Sequence, residues 1–127
     1  MPRLILVRGL PGSGKSTIVV RDYPQFEHWE SDMFFINKNG EYVYDIRLLH
    51  VAHKWCLHKA SVALKAGKDV IVSNTFITRS EIKPYVELAN EVGITLEVIT
   101  ASGNYGSTHG VPETTIEKMK ARWQEYP

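Results

Sequence analysis

Gly9-Leu10-Pro11-Gly12-Ser13-Gly14-Lys15-Ser16-Thr17 decides the reading of this 127-residue chain. The stretch matches G-x-x-x-x-G-K-[ST] at every defined position. Before it, residues 2–8 carry the apolar run Leu4-Ile5-Leu6-Val7, short and continuous like a buried parallel strand. After it, residues 15–22 read as a helix that stops before Pro24. Glycines let backbone N–H groups turn inward around phosphate oxygens, and the helix N-terminus adds partial positive charge. The expected nucleotide-binding residues are therefore Gly9, Pro11, Gly12, Ser13, Gly14, Lys15, Ser16 and Thr17. Lys15 would bridge the β- and γ-phosphates, and the Ser16 hydroxyl would hold Mg²⁺, so ATP and Mg²⁺ are the expected ligands. A glycine-rich turn without a ligand is the plain alternative, but it gives Lys15 no reason to stand there.

Outward from this loop, strands and helices alternate. Residues 26–31 suggest a second strand, and Asp32 follows it directly. Met33-Phe34-Phe35-Ile36 and Glu41-Tyr42-Val43-Tyr44 flank Asn37-Lys38-Asn39-Gly40, which predicts a small hairpin insertion. Asp45 is a candidate N-cap for a long helix to about Ala66, with Gly67 as its stop. Val70-Ile71-Val72 reads as a third buried strand ending in Ser73-Asn74-Thr75. Thr78 and Glu81 have capping-box spacing, so a helix starts there and ends near Gly93. Residues 94–100 alternate as a fourth strand, residues 103–110 form a loop rich in Gly and small polar residues, and Pro112 opens a last helix containing Ile116, Met119 and Trp123. The expected fold is α/β: a three-layer P-loop domain with a short, mostly parallel sheet of about four strands. Ligands of such sheets bind beyond the carboxyl ends of the strands. Here those ends carry the glycine loop, Asp32, Ser73-Asn74-Thr75 and residues 102–104.

Composition leaves these expectations room. With 43% hydrophobic residues, 23% charged residues and three tryptophans, the chain suits one compact domain over residues 1–127. Fifteen Lys plus Arg against fourteen Asp plus Glu leave a net charge of +1, so any nucleic-acid site has to be a local patch. The lone Cys56 precludes an intrachain disulfide and suits a reducing cytoplasm. No apolar run approaches the roughly 20 residues of a membrane span, and the N-terminus lacks a signal peptide's apolar core. His50, His53 and His58 lack the additional ligands that zinc requires.

A kinase needs a carboxylate near the γ-phosphate to take the acceptor's proton, and Asp32 is placed for that task or for a simple turn. Phe34, Phe35, Tyr42 and Tyr44 gather aromatic rings beside it, either as a packing cluster or as a stacking surface for a base. A strip of Arg47, Lys54, His58 and Lys65 on the long helix reads as a solvated face or as a phosphate-backbone track.

Together the P-loop, Glu30-Ser31-Asp32-Met33, Gly40-Glu41-Tyr42, Ala52-His53-Lys54-Trp55-Cys56 and His109-Gly110-Val111-Pro112 resemble small phage and bacterial P-loop kinases of the AAA-like ATP-binding kind. That group is related to the kinase domain of phage 5′-polynucleotide kinase, and the similarity covers nearly the whole chain. Phage kinases acting on 5-hydroxymethyluridine in DNA, a step in thymine hypermodification, are also similar. The resemblance implies a cytoplasmic kinase (host cytoplasm if phage-encoded) with Asp32 as general base and nucleic acid as substrate. The expected substrate-binding residues are Asp32, Phe35, Tyr42, Asn74 and Thr75, with Asn74 or Thr75 shaping the metal or acceptor site.

Three departures stand out. Polynucleotide kinase carries an arginine shortly after its base, where this chain has Phe35, and another in its lid, where residues 103–111 have none. After the third strand the family often shows an aspartate; here Ser73-Asn74 stands. An arginine at the transferring phosphate is worth about 10³–10⁵ in rate. Arg79 is the candidate replacement, ahead of His109 and Lys118. The missing arginines favour a base hydroxymethyl over a 5′ terminus as acceptor. A free nucleoside or nucleotide kinase, and a binding or regulatory module that holds ATP without transfer, remain the alternatives.

Overall fold

The computed structural model describes residues 1–103 and 111–126. Four parallel strands, β1 (Leu4–Arg8), β2 (Glu27–Trp29), β3 (Val70–Asn74) and β4 (Leu96–Thr100), lie in the order β2-β3-β1-β4. Helix α1 (Lys15–Asp22) packs on one face, and α2 (Leu49–Lys65) and α3 (Arg79–Val92) on the other. A fourth helix, α4, spans Glu113–Arg122. The expected α/β P-loop architecture is present.

The period of two in the strands builds the layers. Leu4, Leu6, Val70 and Val72 join Cys56, Ala60, Leu64, Ile82 and Leu88 in the larger core. Ile5, Val7 and Ile71 turn the other way, onto Val19. Small residues at Ala52, Cys56, Ala60 and Ala63 let α2 sit close to the sheet. Gly67, at φ +87°, ends the segment as expected, its N–H donating to the Leu64 carbonyl at 3.0 Å. The capping box of Thr78 and Glu81 is formed at the head of α3.

Three local expectations need correction. Residues 31–35 form a 3₁₀ turn (Ser31–Phe35), not the first arm of a hairpin. Only one antiparallel bridge, Ile36 to Tyr42, closes the insertion, with Val43 N–H donating to the Phe35 carbonyl at 2.8 Å. Apolar runs this short do not distinguish strand from turn, and packing decided: Phe34 and Phe35 meet edge to face, and Phe34 reaches Trp55 of α2 at 5.9 Å. Asp45 caps a 3₁₀ turn (Ile46–Leu48) that leads into α2 at Leu49, accepting from Arg47 N–H at 3.0 Å. Trp123 ends α4 and does not belong to it.

Candidate functional site

The loop between β1 and α1 owes its shape to three glycines. Gly12 and Gly14 hold φ +78° and +93°, a region that side chains disfavour. Gly9 is required for space. A Cβ there would overlap the Ser13 hydroxyl and stand 2.8 Å from the Ala101 carbonyl. Its N–H donates to the Thr75 carbonyl at 3.2 Å, tying the loop to the end of β3. Gly9→Ala should weaken ATP binding about tenfold, since a squeezed contact of this kind costs 1–3 kcal/mol. Titration calorimetry on the folded variant reads this; binding within twofold of wild type would show that the loop yields.

Lys15, Ser16 and Thr17 form the first turn of α1. The Lys15 ammonium donates to the Gly9 and Leu10 carbonyls, both at 3.0 Å. Burial lowers its pKa, while the charges of Glu30 and Asp32 act in the opposite sense. The Ser13 hydroxyl is buried and has no hydrogen-bond partner among the described residues. A polyphosphate tail would supply oxygens to such donors.

Glu30, which the sequence reading passed over as a functional residue, reaches this loop from the end of β2. Its Oε2 accepts from the Ser16 hydroxyl at 3.4 Å and the Ser73 hydroxyl at 2.9 Å, and lies 3.0 Å from His28 Nε2. Burial alone would raise the Glu30 pKa; His28 and the two hydroxyls outweigh it and hold the carboxyl below its ordinary range. The Glu30 carboxylate therefore stands beside the Ser16 hydroxyl, a pair of oxygen ligands that suits Mg²⁺. Among the described residues no three His, Cys, Asp or Glu side chains gather into a metal cage. Mg²⁺ does not need one, because it commonly takes one or two carboxylates with substrate phosphates and water.

Asp32 stands on the 3₁₀ turn after β2, and neighbouring side chains pin that turn. Ser31 N–H donates to Asn74 Oδ1 at 2.9 Å, and its hydroxyl lies 2.7 Å from His53 Nδ1. Tyr42 donates its phenol to Asp32 Oδ1 at 3.2 Å. Burial and then the Asp32 charge push the Tyr42 pKa up to about 12, so the phenol stays a donor at neutral pH. Asn74 and His53 also line a cavity of about 170 Å³ with Lys54, Thr75, Phe76 and Tyr85. A second cavity, about 230 Å³, lies between the loop and the end of β4, against Thr17, Arg21, Thr100 and Ser102.

Two expected site residues lie elsewhere. Phe35 is 4% exposed and walled by Phe34, Tyr42 and Tyr44, so it packs the insertion and offers no face to a base. Arg79 turns to the C-terminal segment, where its Nε donates to the Glu125 carbonyl at 2.7 Å. Of its weaker rivals, Lys118 is in α4 and His109 lies outside the described residues, as does most of the 103–110 loop.

Residues 4–104 match the model of an AAA domain family, AAA_33. The chain belongs to that family. A curated relative of the AAA_33 chain, human NEDD4-binding protein 2, is 38% identical over 92 residues, which make up 69% of this chain and 5% of that protein. This AAA_33 domain thus spans a small part of that relative's length. Its fold is also that of solved kinases. The Pnkp1/Rnl/Hen1 RNA repair complex matches with TM-score 0.68 and 19% identity, over 95% of this chain and 43% of that one. A gluconokinase from Sinorhizobium meliloti 1021 matches with TM-score 0.64 and 19% identity, over 98% and 76%. The AAA_33 chain therefore has a P-loop kinase fold. No helix among the described residues is long and apolar enough to cross a membrane.

Proposed function

We propose that this AAA_33 domain is an ATP- and Mg²⁺-dependent kinase that phosphorylates a hydroxyl on nucleic acid. The first candidate is the 5-hydroxymethyl group of 5-hydroxymethyluridine in DNA, followed by a polynucleotide 5′-OH. One observation carries the reading: Asp32 sits on a turn whose anchors, Asn74 and His53, are also walls of the cavity beyond β3. The turn that carries Asp32 thus shares two side chains with a pocket past the end of β3, where the Thr75 carbonyl also ties to the phosphate loop.

In this reading the loop amides and Lys15 bind the phosphates, and the cavity beside Thr17 and Thr100 receives the nucleoside. The Ser16 hydroxyl would hold Mg²⁺, which would supply neutralising charge to the phosphates. Asp32 takes the proton of the acceptor hydroxyl as its oxygen forms a bond to the γ-phosphorus. The bond from that phosphorus to the bridging oxygen breaks, and its electron pair leaves with ADP. Tyr42 orients the Asp32 carboxylate through its phenol. At about 170 Å³ the acceptor cavity admits one ring, not a duplex, so a polymeric acceptor has to present a single terminus or an unstacked base.

Cavity size also favours a second reading, a small-molecule kinase acting on a free nucleoside, nucleotide or sugar. Incubation with γ-labelled ATP and parallel acceptors separates the two: 5-hydroxymethyluridine DNA, a 5′-OH oligonucleotide, free nucleosides and gluconate. Label in nucleic acid is the expected result. Label only in a small molecule selects the second reading, and bound ATP with no label anywhere would support a non-transferring module.

A further inference from the structure

P-loop enzymes hold Mg²⁺ between the loop hydroxyl and an aspartate at the end of a neighbouring strand. Here β3 is the neighbour of β1 on the side facing β2, and it ends in Ser73-Asn74, without a carboxylate. The structure brings one in from the next strand. Trp29 of β2 pairs with Val72 of β3, so Glu30 leaves its strand at the level of Ser73. One oxygen, Glu30 Oε2, meets the Ser73 hydroxyl at 2.9 Å and the Ser16 hydroxyl at 3.4 Å. His28 lies 3.0 Å from that oxygen and 2.6 Å from Ser73 Oγ.

We propose that Glu30 is the metal-binding carboxylate of this site, supplied by β2 in place of a β3 aspartate, with Ser73 and His28 as its positioning residues. The exchange is sterically and electrostatically coherent. A serine at 73 leaves room for the longer glutamate side chain and donates a hydrogen bond to it. An aspartate there would set two carboxylates side by side, and like charges in one partly buried site repel. The plain alternative is an ion pair between Glu30 and His28 with no part in metal binding. That alternative explains the 3.0 Å contact but not why the same oxygen turns to Ser16.

The proposal rests on the reading that the loop binds Mg²⁺ and ATP, and its test keeps the two apart. Binding of a non-hydrolysable ATP analogue is measured by calorimetry across a Mg²⁺ titration. Mn²⁺ in the ternary complex is followed in parallel by electron paramagnetic resonance. For Glu30→Gln the Mg²⁺ midpoint should rise about tenfold or more, while metal-free analogue binding stays within threefold. Glu30→Ser alone should do the same, and the exchange variant Glu30→Ser/Ser73→Asp should return the midpoint to within about threefold of wild type. His28→Gln, which breaks the ion pair but keeps the carboxylate, should shift the midpoint less than Glu30→Gln. A midpoint within twofold of wild type in Glu30→Gln, or no recovery in the exchange variant, overturns the assignment. Failure of the wild-type chain to bind the analogue at any Mg²⁺ concentration would instead remove the nucleotide-site reading beneath it.

Discussion

Asp32→Asn should lower kcat for phosphoryl transfer by about 10²–10⁴-fold, the range associated with loss of a positioned general base. Affinity for ATP should stay within a few-fold of wild type. The asparagine is isosteric and keeps an oxygen that can accept from Tyr42, whose phenol lies 3.2 Å from Asp32 Oδ1. The turn itself should persist, because its anchors are Ser31 to Asn74 and Ser31 to His53, not the Asp32 carboxylate. Only the capacity to take a proton is lost. Steady-state rates, with ATP binding measured separately, divide chemistry from binding. Turnover equal to wild type would remove Asp32 from the mechanism. Tyr42→Phe provides a graded comparison: it removes the orienting donor, leaves the base, and should cost less than Asp32→Asn.

Local signals made the outline of this fold legible. The glycine loop, the buried strands before and after it, the capping box of Thr78 and Glu81 and the stop at Gly67 each rest on residues within a few positions of one another. They also placed Asp32 correctly at the carboxyl edge of the sheet. Glu30 was not legible, because its significance depends on β2 lying next to β3, a matter of strand order. Sequence adjacency pointed instead to Asp32, two residues later. The insertion was misread for a related reason. Aromatics at 34, 35, 42 and 44 look like strand residues, yet Phe34 packs on Trp55 of α2 and the first pair lies in a 3₁₀ turn. Tyr42 and Tyr44 remain 44% and 48% exposed, with rings 6.4 Å apart and nearly parallel. Of the four rings these two are the most exposed, and Tyr42 is the one that touches Asp32.

Arg8 carries the largest expected effect on stability. It reads as the polar end of β1, but its residue is 0% exposed, sealed beneath a C-terminal segment more than a hundred positions away. Its Nη2 donates to the carbonyls of Phe76 at 2.6 Å and Gln124 at 2.7 Å, and its guanidinium lies 4.0 Å from the Trp123 ring centre. Burial lowers its pKa, with the charges of Glu125 and Glu81 acting the other way. Arg8→Met fills much of the same volume but leaves the Phe76 and Gln124 carbonyls without this donor. Each unsatisfied buried acceptor costs about 1–3 kcal/mol, and a desolvated cation–π contact adds about 2 kcal/mol. One guanidinium nitrogen, Nη1, already lacks a hydrogen-bond partner among the described residues, so part of the native gain is offset. A net loss of about 3–5 kcal/mol is expected, a large fraction of the 5–15 kcal/mol that stabilises a typical domain. Urea unfolding of Arg8→Met, Trp123→Ala and the double variant measures both the loss and the coupling between the two side chains. A loss below 0.5 kcal/mol in Arg8→Met would mean that water replaces the guanidinium without penalty. Because Arg8 immediately precedes Gly9 and holds the carbonyl next to Thr75, loosening the C-terminal segment should also reach the phosphate loop. ATP affinity should therefore fall in Arg8→Met even under conditions where the variant remains folded.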